Sequence, residues 1–240
     1  ITYNVEKAYS RASLDEKGVL ITEAVSNARA DIFCAQETGT LKKGQLGVTN
    51  LVNKVERRRG VARKVAVTQA EPHGEDRYAV GGLATVATGR MASRCSGIVE
   101  DARGWQRFDG VRYQGRQGKL LVVINTYVPF LRQTKVLLEG DSLQAVLTQR
   151  ARDALDASTS DEGGKTQPTR DAEGLTEELV ADPSRLLIED MIGQLKQHAD
   201  REDTTLLILG DFNIASDATA NRKALIEALC GELGLAEVAC

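Results

Sequence analysis

The chain has 240 residues, 42% hydrophobic and 27% charged, enough apolar material for a sizeable core in one large domain or two small ones. No apolar run approaches the roughly 20 residues needed to cross a bilayer, which excludes a transmembrane helix, and no signal peptide is visible. A formal net charge of −3 does not mark a nucleic-acid binder. Yet residues 1–119 carry 20 Lys and Arg against 13 Asp and Glu, while residues 120–240 carry 11 against 21.

In chain order, "ITYNV" reads as a strand already under way at Ile1, as in an excised segment. Residues 13–30 place Leu14, Val19, Leu20, Ala24, Val25 and Ala28 near helical spacing, with Ser13 as N-cap and Glu16 three residues on. "DIFCAQE" (31–37) is a strand. The stretch 54–64, "KVERRRGVARK", holds six basic residues and one acidic. Such a run is either a solvated face or an edge that grips a phosphate backbone without reading sequence, with Arg57, Arg58 and Arg59 at its centre. "VARKVAVTQ" (61–69) alternates as a half-buried strand. "AVGGLATVATG" (79–89) is one strand whose two glycines point to a bulge or a close backbone approach. "GWQRFDGVRYQG" and "KLLVVINTYVP" are two strands joined through a Gly-rich turn, the second stopped by Pro129.

Residues 141–157 have the spacing of a helix. Residues 158–174 contain no apolar side chain larger than Ala and read as a mobile insertion. From 182 to 199 a helix is well marked: Asp182 as cap, Pro183 in the first turn, and a stripe of Leu187, Ile188, Met191, Ile192 and Leu195. "TTLLILGDFN" then runs four aliphatic residues, Leu206 to Leu209, into Gly210 and Asp211. That is the pattern of a strand covered on both faces. A last helix spans residues 220–234. The four cysteines, Cys34, Cys95, Cys230 and Cys240, form no C-x-x-C pair and have no nearby His, which argues against zinc and for a reducing, intracellular setting.

Several strands share a feature at their exits. The first ends on Asn4 with Glu6 two residues on, the second on Glu37, the "INTYVP" strand on Tyr127, and the last on Asp211 and Asn213. Converging ends would assemble an oxygen-rich site without Cys or His, suited to a hard cation such as Mg²⁺. Each exit taken singly is also how an ordinary strand closes in a polar turn.

Asn4-Val5 near the start, "DIFCAQET", "INTYVP" and "LILGDFN", in this order, resemble the endonuclease/exonuclease/phosphatase superfamily, and "GGLATVATG" is similar to its third strand. The resemblance covers nearly the whole chain, as one domain over 1–240 incomplete at both ends. It implies an α/β fold: a four-layer, DNase I-like sandwich of two packed mixed β-sheets flanked by helices, here truncated at the C-terminus. It also implies metal-dependent phosphodiester hydrolysis by in-line attack of water. By that likeness Glu37 is the main ligand of Mg²⁺ (or Mn²⁺), Asn4 a further contact to the metal, and Glu6 stands where abasic-site enzymes carry Asp. Asp211 deprotonates the attacking water, Asn213 holds the water or a phosphate oxygen, and Tyr127 donates to the phosphate.

The family's Ser-Asp-His motif near the C-terminus is absent, and neither His73 nor His198 replaces it, so the site is expected to be incomplete and the activity impaired. Tyr127, where secreted DNase-like relatives tend to have His, leans toward the abasic-site and retrotransposon branches. The expected function is a DNA-nicking endonuclease domain of retroelement type. Its partners would be the DNA backbone and a reverse transcriptase in the same parent polypeptide, with a nuclear location and no membrane contact. The alternatives are a phosphoinositide-type phosphatase and a degenerate, non-catalytic binding remnant.

Overall fold

The computed structural model describes residues 1–5, 16–39, 63–67, 70–72, 79–128, 183–213 and 220–237. Its strands are β1 (Thr2–Asn4), β2 (Ile32–Gln36), β3 (Arg63–Val67), β4 (Ala70–Pro72), β5 (Ala79–Gly81), β6 (Leu83–Thr88), β7 (Cys95–Val99), β8 (Phe108–Gln114), β9 (Leu120–Tyr127) and β10 (Thr204–Asp211). Its helices are α1 (Glu16–Asn27), the short α2 (Gly89–Ser93), α3 (Pro183–Ala199) and α4 (Ala220–Leu233). The helix expected over 141–157 and the insertion expected over 158–174 lie outside the described residues. The single strand expected over 79–89 is two. Gly81 and Gly82 both have φ near +80°, which breaks the extended path and passes the chain from β5 to β6.

Among the described residues two four-stranded mixed sheets result, ordered β1-β2-β6-β3 and β10-β9-β8-β7, with β4 and β5 as a separate ribbon. The β1–β2 and β9–β10 pairs are parallel and the other pairings in these two sheets antiparallel. Period-2 alternation gives every strand an outer and an inner set. On the first sheet the outer residues Val5, Phe33, Ala35, Ala84 and Val86 pack with Val19, Ile21 and Val25 of α1. On the second, Phe108, Val122 and Ile124 pack against Leu187, Ile188, Met191 and Leu195 of α3 and Leu229 and Leu233 of α4. The stripe read from sequence is therefore the buried face of α3. Trp105 joins that core with its indole N–H donated to Asp190 Oδ2 at 2.7 Å, which satisfies the polar end of a fully buried ring. The layers are helix, sheet, sheet, helix.

The inner faces meet through Cys34 and Ala87 of the first sheet and Val111, Tyr113 and Val123 of the second. Along β10 the expectation of cover on both faces fails: Leu207 is 41% exposed. Among the described residues β10 is an edge strand paired only with β9. The exposed Ile1, Tyr3 and Leu20 lie by β1, the corresponding edge of the first sheet, and line a groove of about 420 Å³ with Ile21, Ala24, Val25 and Ala28. Among the described residues no helix is long and apolar enough to cross a membrane.

Nearer the Tyr127 end of the seam, Thr85 of β6 donates its hydroxyl to Asp109 Oδ1 of β8 at 2.9 Å, a hydrogen bond between the sheets. The other oxygen, Oδ2, has no hydrogen-bond partner among the described residues. Burial pushes this carboxyl up to about 7, only partly opposed by the Thr85 bond. The folded protein thus holds a proton on Asp109 that the unfolded chain has lost by mildly acidic pH. Stability contributed at this position therefore falls as pH rises from about 4 to about 7 and levels off above, a total of roughly 4 kcal/mol. Asp109→Asn keeps an acceptor for Thr85 and cannot ionise. Urea denaturation of both proteins across this range is expected to show the variant gaining on the native chain up to neutrality, then holding a constant lead. Parallel stability curves would show that Asp109 does not retain its proton on folding.

Candidate active site

Four inner-face strand ends meet at one end of the seam. Asn4 leaves β1 and donates Nδ2–H to Asp211 Oδ2 at 2.8 Å; Asp211 closes β10. The backbone N–H of Asn213 donates to Asp211 Oδ1 at 2.9 Å, while its side-chain amide donates to the Val128 carbonyl at 2.7 Å. Both oxygens of Asp211 are therefore held, and the plane of its carboxylate is fixed. Tyr127, the last residue of β9, donates its hydroxyl to Glu37 Oε1 at 2.5 Å. Register carries these contacts: Asp211 pairs with Tyr127 across the parallel β9–β10 ladder, and Asn4 pairs with Gln36, one residue before Glu37.

Two of these residues have left-handed backbones, Glu37 at φ 53° and Asn213 at φ 50°. Asn tolerates that conformation; for Glu it costs about 1–2 kcal/mol, and such strain persists only where the surroundings enforce it. Here the Thr38 and Gly39 N–H groups are bound to the carbonyls of Gly82 and Gly81, which holds the chain just past Glu37. Burial first, then the bond to Glu37 and the charges of Glu37 and Asp211, push the Tyr127 hydroxyl far above its ordinary value. It stays a neutral donor at any working pH.

Beneath this layer lies a second polar layer that the strand-end reading missed. Gln36 Nε2 donates to Asn125 Oδ1 at 2.6 Å and to Thr2 Oγ1 at 2.9 Å, and Asn125 Nδ2 faces the Ala35 and Ala84 carbonyls at 3.2 and 3.3 Å. Arg107, only 1% exposed, was missed as well. Its guanidinium lies against Gly81, where an added Cβ would stand 2.7 Å from Nη1, and its charge partly offsets the upward push on Tyr127. The glycine pair did signal a close approach in the sequence; what approaches is this side chain.

The structure thus brings together Asn4, Glu37, Tyr127, Asp211 and Asn213. Glu6 and Arg57, Arg58 and Arg59 lie outside the described residues, and among the described residues no three His, Cys, Asp or Glu side chains form a cluster. The donor set fits a hard cation: carboxylates, side-chain amides and a phenol. The nearest thiol, Cys34, is buried and pushed up to about 12, mainly by burial and then by the Asp109 charge, so it offers no thiolate. Glu37 and the Asn4 side-chain oxygen are the groups that would hold it.

Layer order, sheet composition and the placement of strand ends define a DNase I-like α/β sandwich. Solved structures with this fold include an AP endonuclease from Archaeoglobus fulgidus, 14% identical, TM-score 0.51, matched over 96% of this chain and 68% of that one. The AP endonuclease LMAP from Leishmania major is 12% identical, TM-score 0.55, with 97% and 65% covered. The 3′-5′ exonuclease NExo from Neisseria meningitidis is 14% identical, TM-score 0.50, with 96% and 70% covered. The chain spans about two-thirds of the length of each. No protein-family model matches the sequence, and comparison with curated proteins gives no match.

Gly210 sets how closely β10 approaches β9 just before Asp211. A Cβ there would stand 2.0 Å from the Thr126 carbonyl oxygen, which is backbone and cannot rotate away. Gly210→Ala is expected to cost about 1–3 kcal/mol of stability in denaturant titration, as overpacking does, and to displace Asp211 from Asn4. An unchanged midpoint would mean that the ladder absorbs a methyl group.

Proposed function

We propose that this chain is a metal-dependent phosphodiesterase acting on DNA, and within that class a nicking endonuclease domain of retroelement type. One observation carries the reading: Asn4, Glu37, Tyr127, Asp211 and Asn213, from four strands distant in sequence, converge at the open end of the seam in two hydrogen-bonded groups, Asn4–Asp211–Asn213 and Tyr127–Glu37, that ladder register sets side by side. Asp211, oriented by Asn4 and the Asn213 N–H, is the acceptor for the proton of the attacking water. Tyr127 remains protonated and turns its O–H from Glu37 to the phosphate as negative charge develops there. Arg107 adds a buried positive charge behind Tyr127. Mg²⁺, when bound at Glu37 and Asn4, supplies neutralisation of the phosphoryl charge and polarisation of its oxygens.

DNA as substrate is supported by the names of the structural neighbours, two AP endonucleases and a 3′-5′ exonuclease, and by the basic stretch 54–64. The retroelement branch, a reverse transcriptase in the same polypeptide and a nuclear site of action rest on the sequence resemblance. Because the Ser-Asp-His motif is absent from the sequence the activity is impaired, so incubation with supercoiled plasmid and Mg²⁺ is expected to give open circles only slowly, and EDTA to stop the reaction. Glu37→Gln and Asp211→Asn are each expected to slow nicking about 100-fold or more while melting as the native chain does. Phosphate release from a phosphoinositide without nicking would point instead to the phosphatase reading. Silence in both assays would point to a non-catalytic remnant.

A further inference from the structure

We propose that Gln36 and Asn125 are the positioning pair of this site, the element that fixes how far apart the two sheets hold Glu37 and Tyr127. The inference rests on the phosphodiesterase reading and adds to it two residues that touch neither substrate nor metal. Both side chains are buried, Gln36 at 1% and Asn125 at 0% exposure, Gln36 closing the apolar run of β2 and Asn125 following that of β9. Apolar residues would fill the same space without any demand for partners, so the amides matter for their directionality.

The donors of both amides are engaged. Asn125, on β9 of the second sheet, turns its N–H₂ to two carbonyls of the first sheet, Ala35 and Ala84. Its carbonyl must then face Gln36, whose own N–H₂ reaches Asn125, Thr2 and the Cys34 carbonyl. One amide pair thus ties together β1, β2, β6 and β9. Each tie lies beside or beneath a site residue: Thr2 is two residues before Asn4, Gln36 is level with Asn4 in the ladder and precedes Glu37, and Asn125 is two before Tyr127 on the same face. A strand advances about 6.6–6.8 Å over two residues, so the knot forms the layer directly under the site. Sliding of one sheet over the other moves Glu37 relative to Tyr127 first, and misplacement by about 1 Å can cost a reaction about 100-fold.

The test is steady-state nicking kinetics on the native chain and three variants, each measured well below its melting temperature. Gln36→Met with Asn125→Leu removes both partners at similar volume. It is expected to lower kcat about 30- to 100-fold with KM changed less than about 3-fold, because phosphate contacts elsewhere are untouched. Thr2→Val, a milder change that removes one acceptor of Gln36 and is expected to fold without difficulty, should lower kcat about 3- to 10-fold. Leu229→Ala, in the α4 core remote from the site, destabilises without touching the knot and should leave kcat unchanged. If Thr2→Val keeps native kcat, or the double variant loses no more than Leu229→Ala, the pair is merely structural and the inference is overturned. If the native chain itself hydrolyses no phosphodiester, the functional reading fails and this inference goes with it, an outcome visible before any variant is compared.

Discussion

The structure depends on one constraint: a polar side chain buried between the two sheets is held where its hydrogen-bond partners lie, because water cannot reach it. Asn125 meets it with the Ala35 and Ala84 carbonyls, Gln36 with Asn125 and Thr2, and Asp109 with Thr85. Each of these bonds is directional, and all but the Gln36–Thr2 bond, which joins the paired strands β1 and β2, cross from one sheet to the other. Together they allow one spacing and one register of the sheets, whereas an apolar seam would tolerate several. An unpaired buried amide costs about 1–3 kcal/mol, comparable to a sizeable part of the stability of a domain. Displaced registers are therefore strongly disfavoured.

The apolar work is done elsewhere. Trp105, Phe108, Val122, Ile124 and the buried faces of α3 and α4 form the largest cluster, on the outer side of the second sheet. With that cluster in place, the inner faces can carry polar groups. Their polarity rises toward one end: Val111, Tyr113, Val123 and Ala87 deep in the seam, then Thr85 with Asp109 and, beside Asp109, Asn125 with Gln36, then Glu37, Tyr127, Asn4 and Asp211. The groups suited to chemistry are the last in this series, at the point where solvent returns. The left-handed backbone of Glu37 fits the same logic, since the ladders on either side hold it there.

The site was legible in the sequence to the extent that strand exits are local. Asn4, Glu37, Tyr127, Asp211 and Asn213 each end an apolar run, and all five meet. Gln36, Asn125 and Arg107 were not singled out, although each is a polar interruption in an otherwise apolar strand or at its start. Read locally, such a residue is as easily a solvent-facing position. Whether it turns inward depends on the phase of the alternation relative to a partner sheet formed much later in the chain. The overestimate of burial on β10 has the same origin: "LLIL" reads as central, and edge position is a property of topology.

By itself the sequence determined the elements with strong local signals. The α3 stripe follows from 3.6-residue periodicity, β9 and β10 from continuous aliphatic runs, and the polar strand exits from residue type at the end of each run. The tertiary structure alone decided which exits face one another. Asn4 and Asp211 are 207 residues apart, and Glu37 and Tyr127 are 90 apart. It also decided that Asp109 is buried deeply enough to keep its proton and that Arg107 lies in the space opened by Gly81. The physical reason is that periodicity is written in neighbouring residues. Register, sheet order and the dielectric around a side chain are set by segments that meet only when the chain is folded.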